Sequence, residues 1–267
     1  MSLAKIIPCC RSLCLLLAAI LLLPLQAYSS DDEVMIYSEH YPPFNFYSNQ
    51  SPQGISVELL QLMLEQMDAP FGVETIHFVP WPRGYQRTLN VKNSMLFSTY
   101  RTPAREELFK WVGPIASSQN GLIIRSDLNR DFSNFADLED LRVGIIKNDI
   151  GGILLKELNI PNIHLIPLSN PDKAAKMLEH GRLDAWAYDV NVATDIQRRL
   201  GLPSLDYKVG LYLGQPGWLY FAFNPETDDS IIQNFQRPLD QAKKATNAEN
   251  ENLFENILRR FNYRLVE

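Results

Sequence analysis

Cysteine is almost missing. Of 267 residues only Cys9, Cys10 and Cys14 carry a thiol, and all three fall in the first 14 positions. A chain that loses this segment has neither a disulfide framework nor thiol chemistry, and packing alone must hold it together. Histidine is scarce as well: His40, His77, His164 and His180 show no metal-ligand spacing, so neither a zinc site nor any other cofactor is expected. Runs of Lys and Arg are lacking, and the formal net charge is −6, which argues against nucleic acid as a partner. Gly151-Gly152 before Ile153 resembles a helix entry able to receive an anion. It lacks the length and the Lys-Ser/Thr ending of a phosphate loop. With 46% hydrophobic and 21% charged residues and only 13 glycines, collagen-like, low-complexity and coiled-coil chains are excluded.

What is present begins with a leader. Lys5 and Arg11 precede an unbroken apolar run from Leu13 to Leu23, Pro24 ends it, and Ala27, Ser29 and Ser30 follow. Such a run is too short to span a bilayer and fits the core of a secretory signal. A cleavable signal peptide over residues 1–29 is expected, with the mature protein in the periplasm; the alternative is an uncleaved anchor or a buried helix. No cysteine follows a lipobox, so no lipid anchor is expected. Without Lys5 and Arg11, 23 basic residues face 31 acidic ones, a net −8.

Hydrophobic patterning then predicts alternating strands and helices. Val34 to Tyr37 reads as a short buried strand and Ile55 to Met67 as an amphipathic helix, with Leu59, Met63 and Met67 on one face beside Leu60 and Leu64. Val73 to Val79 reads as a second strand, giving a βαβ unit and a parallel sheet. A second series follows: strand Leu141 to Ile146, helix Gly151 to Leu158 and strand Ile163 to Pro167. Next comes a helix capped by Asn170 with Pro171 at its first position and stopped at Gly181, then strand Leu183 to Tyr188. Glu251 to Phe261 predicts a last helix. Polar residues directly follow apolar strands at Ser98–Arg101 and at Asp189, where open parallel sheets collect ligands.

Several motifs occur in one order: Tyr41-Pro42-Pro43-Phe44; Gly54 to Leu60; Thr102-Pro103-Ala104-Arg105; Phe109 to Pro114; Asp137-Leu138 with Leu141 to Gly144; and Gly181 to Asp189. Together they resemble the periplasmic solute-binding proteins of the polar amino-acid ABC-importer family, and they cover nearly the whole mature chain. The resemblance implies an α/β, two-lobed type II periplasmic-binding fold, each lobe a mainly parallel sheet flanked by helices, joined by two hinge strands. Residues 30–123 plus 216–267 would form lobe 1 and residues 124–215 lobe 2.

The resemblance also implies a site. Arg105 matches the family's carboxylate-gripping Arg, a role suited to a planar, permanently charged fork. Asp189 matches the acceptor of the ligand's ammonium, and Tyr41 the aromatic stacked on its side chain. Ser98 and Tyr100 match wall positions, while Trp81, Arg83 and Arg101 mark a divergent, Trp- and Arg-rich branch. Lys147-Asn148-Asp149-Ile150 replaces the usual Gly-Thr pair, and Asp149 would repel a carboxylate, which counts against a plain α-amino acid and opens the site to a more cationic or differently shaped solute. Arg105 could instead pair with Glu106 or Glu107, and Arg101 could compete for its role. Asp189 could be a helix N-cap and Trp81 plain core, and His40 could add a hydrogen bond at the cleft. Trp111, Trp186 and Trp218 read as core or hinge packing.

These readings predict a monomeric exported binding protein that captures a small polar, amino-acid-like solute and serves an ABC permease or a membrane sensor. No fused lytic domain is expected. The rival is a cyclohexadienyl-dehydratase-like enzyme on the same fold, with Glu39 or Asp189 as its acid.

Overall fold

The computed structural model describes residues 34–263 and 265, apart from 129, 131, 133, 204, 205 and 247–250. The leader expected over residues 1–29 lies outside the described residues. Among the described residues, ten strands and seven α-helices follow in chain order. The first part holds β1 (Met35–Ser38), the hairpin β2 (Phe46–Ser48) and β3 (Ser51–Gln53), α1 (Ile55–Gln66), β4 (His77–Phe78), α2 (Trp81–Asn90) and β5 (Ser94–Tyr100). Two long strands, β6 (Lys110–Arg125) and β10 (Tyr207–Phe223), frame the second part. Between them lie β7 (Arg142–Ile146), α3 (Ile150–Glu157), β8 (His164–Leu168), α4 (Pro171–Glu179), β9 (Ala185–Asp189) and α5 (Val190–Arg199). Helices α6 (Asp229–Ala242) and α7 (Leu253–Arg260) close the chain.

Eight strands make one sheet in the order β4-β1-β5-β10-β6-β9-β7-β8. The groups β4-β1-β5 and β9-β7-β8 are parallel. The joining pairs β5/β10, β10/β6 and β6/β9 are antiparallel. β6 meets β9 only over Asn120–Ile124, and β10 meets β5 only over Leu219–Phe223. Each long strand thus belongs to one parallel group at one end and leaves it at the other.

Alternation decides how the sheet is covered. On β9, Ala185 and Ala187 face one apolar cluster with Leu122, Ile124 and Val143, while Trp186 and Tyr188 face the other. α1 buries Leu59, Leu60, Met63 and Leu64 as its periodicity predicts, each apolar chain contributing about 1.5–3 kcal/mol. Its entry needs Gly54, at φ 120°, because a Cβ there would come within 2.4 Å of the Phe44 carbonyl.

Three expectations need correction. Val73–Val79 is not one strand: Val73–Thr75 forms a 3-10 turn and only His77–Phe78 pairs. The Thr75 hydroxyl donates to the Gly72 carbonyl at 2.8 Å, a local bond that competes with the ladder. The strand expected from Leu183 starts at Ala185, because the Leu183 amide donates to Met177 O and closes the turn after α4. Trp218, read as core or hinge packing, is 41% exposed on the long strand β10, so the core alternative falls. Trp186 is fully buried, whereas Trp111 is half-buried against Phe109 and Tyr220. Asn170 caps α4 as expected, accepting from the amides of Asp172 and Lys173.

Candidate functional site

Strand ends from both parallel groups converge on one buried cluster of ionisable groups. From the first lobe come Glu39 and Tyr41, just past β1, Trp81 at the start of α2, and Arg105 in the 3-10 turn Pro103–Leu108 after β5. The second lobe supplies Asn148 and Asp149, just past β7, and Tyr188 and Asp189 at the end of β9. Gly151 lets the start of α3 approach β9, since a Cβ there would lie 2.7 Å from the Ala187 carbonyl.

Arg105 is 1% exposed. Its Nη1 donates to the Tyr100 carbonyl at 2.8 Å and its Nη2 to the Asn148 carbonyl at 2.6 Å. The guanidinium carbon lies 5.8 Å from the Trp81 ring and 5.5 Å from the Tyr85 ring. Burial lowers its pKa, and the facing Asp149 carboxylate acts against that. Nε has no partner, nor does Nε1 of Trp81.

Asp189 is fully buried and caps α5: one carboxylate oxygen accepts from the Val192 amide at 2.9 Å, the other from Ser118 Oγ at 2.8 Å. Burial pushes its carboxyl up to about 6, against the pull of those donors. Asp149 is pushed up by burial, while Arg105 and the amides of Ile150 and Gly151 pull it back. Glu39 is raised well above the usual carboxylate range, first by burial and then by Asp149, with the Trp81 backbone acting the other way.

The aromatic wall is compact. Tyr188 stacks on Trp186 at 4.7 Å, and Tyr41 meets Tyr188 edge-on at 5.8 Å while stacking on Phe44. Burial raises both tyrosine pKa values, and Glu39, Asp149 and Asp189 push the same way. The Tyr188 hydroxyl, Trp186 Nε1 and the side-chain amide of Asn120, which is cross-strand from Asp189, lack hydrogen-bond partners.

Of the residues singled out from sequence, Tyr41, Trp81, Arg105 and Asp189 meet in this cluster. The other four lie elsewhere. Ser98, at φ 60°, is tied to Asn45 and to Ser56 Oγ. The Tyr100 hydroxyl donates to the Gln215 carbonyl at 3.3 Å on the long β10 strand. Arg101 makes a two-pronged pair with Glu106 and lies over Trp111 and Tyr220. Arg83 is exposed on the first turn of α2. Sequence reasoning did not place Tyr85, Tyr188 or Ser118 in the site and took Trp186 for core. Tyr188 carried a usable signal, since it immediately precedes Asp189 at a strand's carboxyl end.

Two α/β halves joined by two long strands, with their strand ends converging on one buried cluster, match the type II periplasmic-binding architecture. The chain belongs to the bacterial extracellular solute-binding proteins, family 3, whose family model matches residues 34–250. Solved structures share the fold at low identity. A histidine kinase sensor domain with similarity to periplasmic binding proteins is 17% identical, with 90% of this chain and 100% of that one covered and a TM-score of 0.75. Holo ArgBP from T. maritima is 16% identical, with 85% and 95% covered and a TM-score of 0.67. The ancestral amino acid-binding protein AncCDT-1, a precursor of cyclohexadienyl dehydratase, is 19% identical, with 85% and 94% covered and a TM-score of 0.65. A search of curated proteins finds no match.

Proposed function

We propose that this protein is exported by a cleavable leader and captures a small polar, amino-acid-like solute between its lobes, on behalf of an ABC permease or a membrane sensor. Residues 30–123 with 216–267 act as one lobe and 124–215 as the other. The observation that carries this reading is the burial of Arg105 and Asp189, from opposite lobes, on either side of Asp149, which acts on both, in a cluster that also holds polar atoms of Trp81, Trp186 and Tyr188 with no partner among the described residues. Such atoms are costly to bury and call for hydrogen-bonding groups from a ligand. A solute that touches both lobes only when they are closed stabilises that state by its differential affinity. Tyr41, Trp81, Arg105 and Asp189 are the ligand-facing residues in this reading.

A thermal-shift screen of amino acids, polyamines and small acids tests it. A true ligand at a hundredfold its Kd adds about 2.7 kcal/mol of stability. A panel that leaves the melting temperature unmoved counts against solute capture.

Buried, protonation-prone Glu39 supports a second reading, a dehydratase with Glu39 as general acid. Turnover of prephenate or arogenate by purified protein decides between the two.

A further inference from the structure

The buried cluster is lopsided in charge. Glu39, Asp149 and Asp189 are each at most 9% exposed and come from three different segments. Among the described residues, Arg105 is the base that acts on one of them, Asp149, while Glu39 and Asp189 are acted on by Asp149 and by hydrogen-bond donors. One guanidinium offsets at most one of three carboxylates, and like charges brought together out of water favour either protonation or a bound cation. Asp189 is already held by Ser118 and Val192, one hydrogen bond to each oxygen, and Arg105 by Tyr100 and Asn148, one from each terminal nitrogen, which leaves every one of these atoms room for one more bond. Glu39 and Asp149 remain as the acids that interact with each other most strongly.

A second observation is independent of the acids. The Tyr188 side chain is 1% exposed, its hydroxyl has no hydrogen-bond partner, and the charged groups it faces are Glu39, Asp149 and Asp189. Its ring, stacked on Trp186 and met edge-on by Tyr41, supplies the aromatic surface on which a cation is stabilised. The unpartnered Nε of Arg105 and Nε1 atoms of Trp81 and Trp186 are donors only, and donors call for an acceptor. A pocket of about 370 Å³ borders the cluster through Glu39, lined from the other lobe by Asn170, Asp172 and Arg199.

We propose that Glu39, Asp149 and Tyr188 form a cation subsite, and that the solute is a net-cationic amino acid with one carboxylate and two cationic centres. This rests on the capture reading above. The ligand's carboxylate answers the donors on Arg105, Trp81 and Trp186, its α-ammonium goes to Asp189, and its side-chain cation lies between Glu39 and Asp149 against Tyr188. A neutral or acidic amino acid leaves Glu39 without a counter-charge and Asp149 with Arg105 alone.

Calorimetric titration of the purified protein with L-arginine, L-lysine, L-glutamine and L-glutamate tests this, on wild type, Glu39→Gln, Asp149→Asn and Tyr188→Phe. Arginine or lysine is expected to bind and glutamate not to bind. Glu39→Gln and Asp149→Asn should each weaken binding of the cation by about tenfold or more. Both replace a buried carboxylate by a neutral isostere, so the fold should survive, and circular dichroism checks that. Tyr188→Phe removes only the hydroxyl and guards against misfolding of the other two. Tighter binding of glutamine or glutamate overturns the cation subsite and leaves solute capture standing. Cation binding indifferent to all three substitutions overturns it equally. Silence with all four amino acids here, together with no shift in the thermal screen, removes both.

Discussion

Arg105 and Asn148 meet across the cleft: Nη2 of the guanidinium donates to the Asn148 backbone carbonyl at 2.6 Å. The arginine follows β5 of the first lobe and the carbonyl follows β7 of the second, so one charge-assisted hydrogen bond ties the lobes together. The residue whose sequence context suggests a grip on a ligand also joins the segments that follow β5 and β7 directly.

Arg105→Ala should therefore loosen the closed state as well as weaken binding. Hydrogen bonds to charged groups contribute about 1.5–3 kcal/mol each, so affinity for the solute should fall roughly 10- to 150-fold. Small-angle scattering should show a larger radius of gyration than wild type. Arg105→Lys should rescue little, because an ammonium cannot span the Tyr100 and Asn148 carbonyls as a planar fork does. An unchanged affinity and an unchanged radius together remove Arg105 from both roles.

Arg101 provides the contrast. Its pair with Glu106 is well formed but more than a third exposed on both sides, so solvent screens it. Arg101→Ala should cost about 1 kcal/mol or less and leave ligand affinity within twofold of wild type, read by chemical denaturation and titration. A loss of binding as large as that of Arg105→Ala would transfer the carboxylate grip to Arg101.

Burial of Glu39, Asp149 and Asp189 gives the free protein an unusual pH dependence. All three carboxyls are raised, so the folded state holds protons more tightly than the unfolded chain. Their favourable contribution is complete below the ordinary carboxylate range and is lost as pH rises through the folded values, about 6 for Asp189. For Asp189 alone that loss is on the order of 2–3 kcal/mol. The melting temperature should be higher near about pH 5 than near about pH 7.5. Asp189→Asn should flatten this slope while still capping α5, since Asn is as good an N-cap as Asp. A melting temperature that falls steadily from neutral to mildly acidic pH contradicts the argument.

Gly54→Ala should be strongly destabilising although it adds only one methyl group. The position combines φ 120° with a would-be Cβ 2.4 Å from backbone that cannot move away cheaply. A loss on the order of 1–3 kcal/mol is expected in chemical denaturation. No measurable loss would mean that the entry to α1 can rearrange.

Much of this was readable before any coordinates. The spacing of Leu59, Met63 and Met67 beside Leu60 and Leu64 specified α1 and the Asn170-Pro171 pair the start of α4; the apolar runs before Ser98 and Asp189 marked strands, but β5 continues through Tyr100 and β9 takes in Asp189. Two of the failures had different causes, one local and one tertiary. Val73–Val79 alternates like a strand, yet the Thr75 hydroxyl bonds back to Gly72 and curls it. Trp218 stands among apolar residues in sequence but on an exposed position of β10, because the register of a long strand is set by its partners.

Periodicity, caps and the order of short motifs determined by themselves that the chain alternates strand and helix and which strand ends carry polar groups, because these are properties of neighbours along the backbone. Only the tertiary structure decided that Arg105 is enclosed while Arg101 faces outward with Glu106, and that Glu39, Asp149 and Tyr188 share one buried space with Asp189. Desolvation and Coulomb interactions depend on distances between segments far apart in the chain, and those distances exist only once the two lobes are folded against each other.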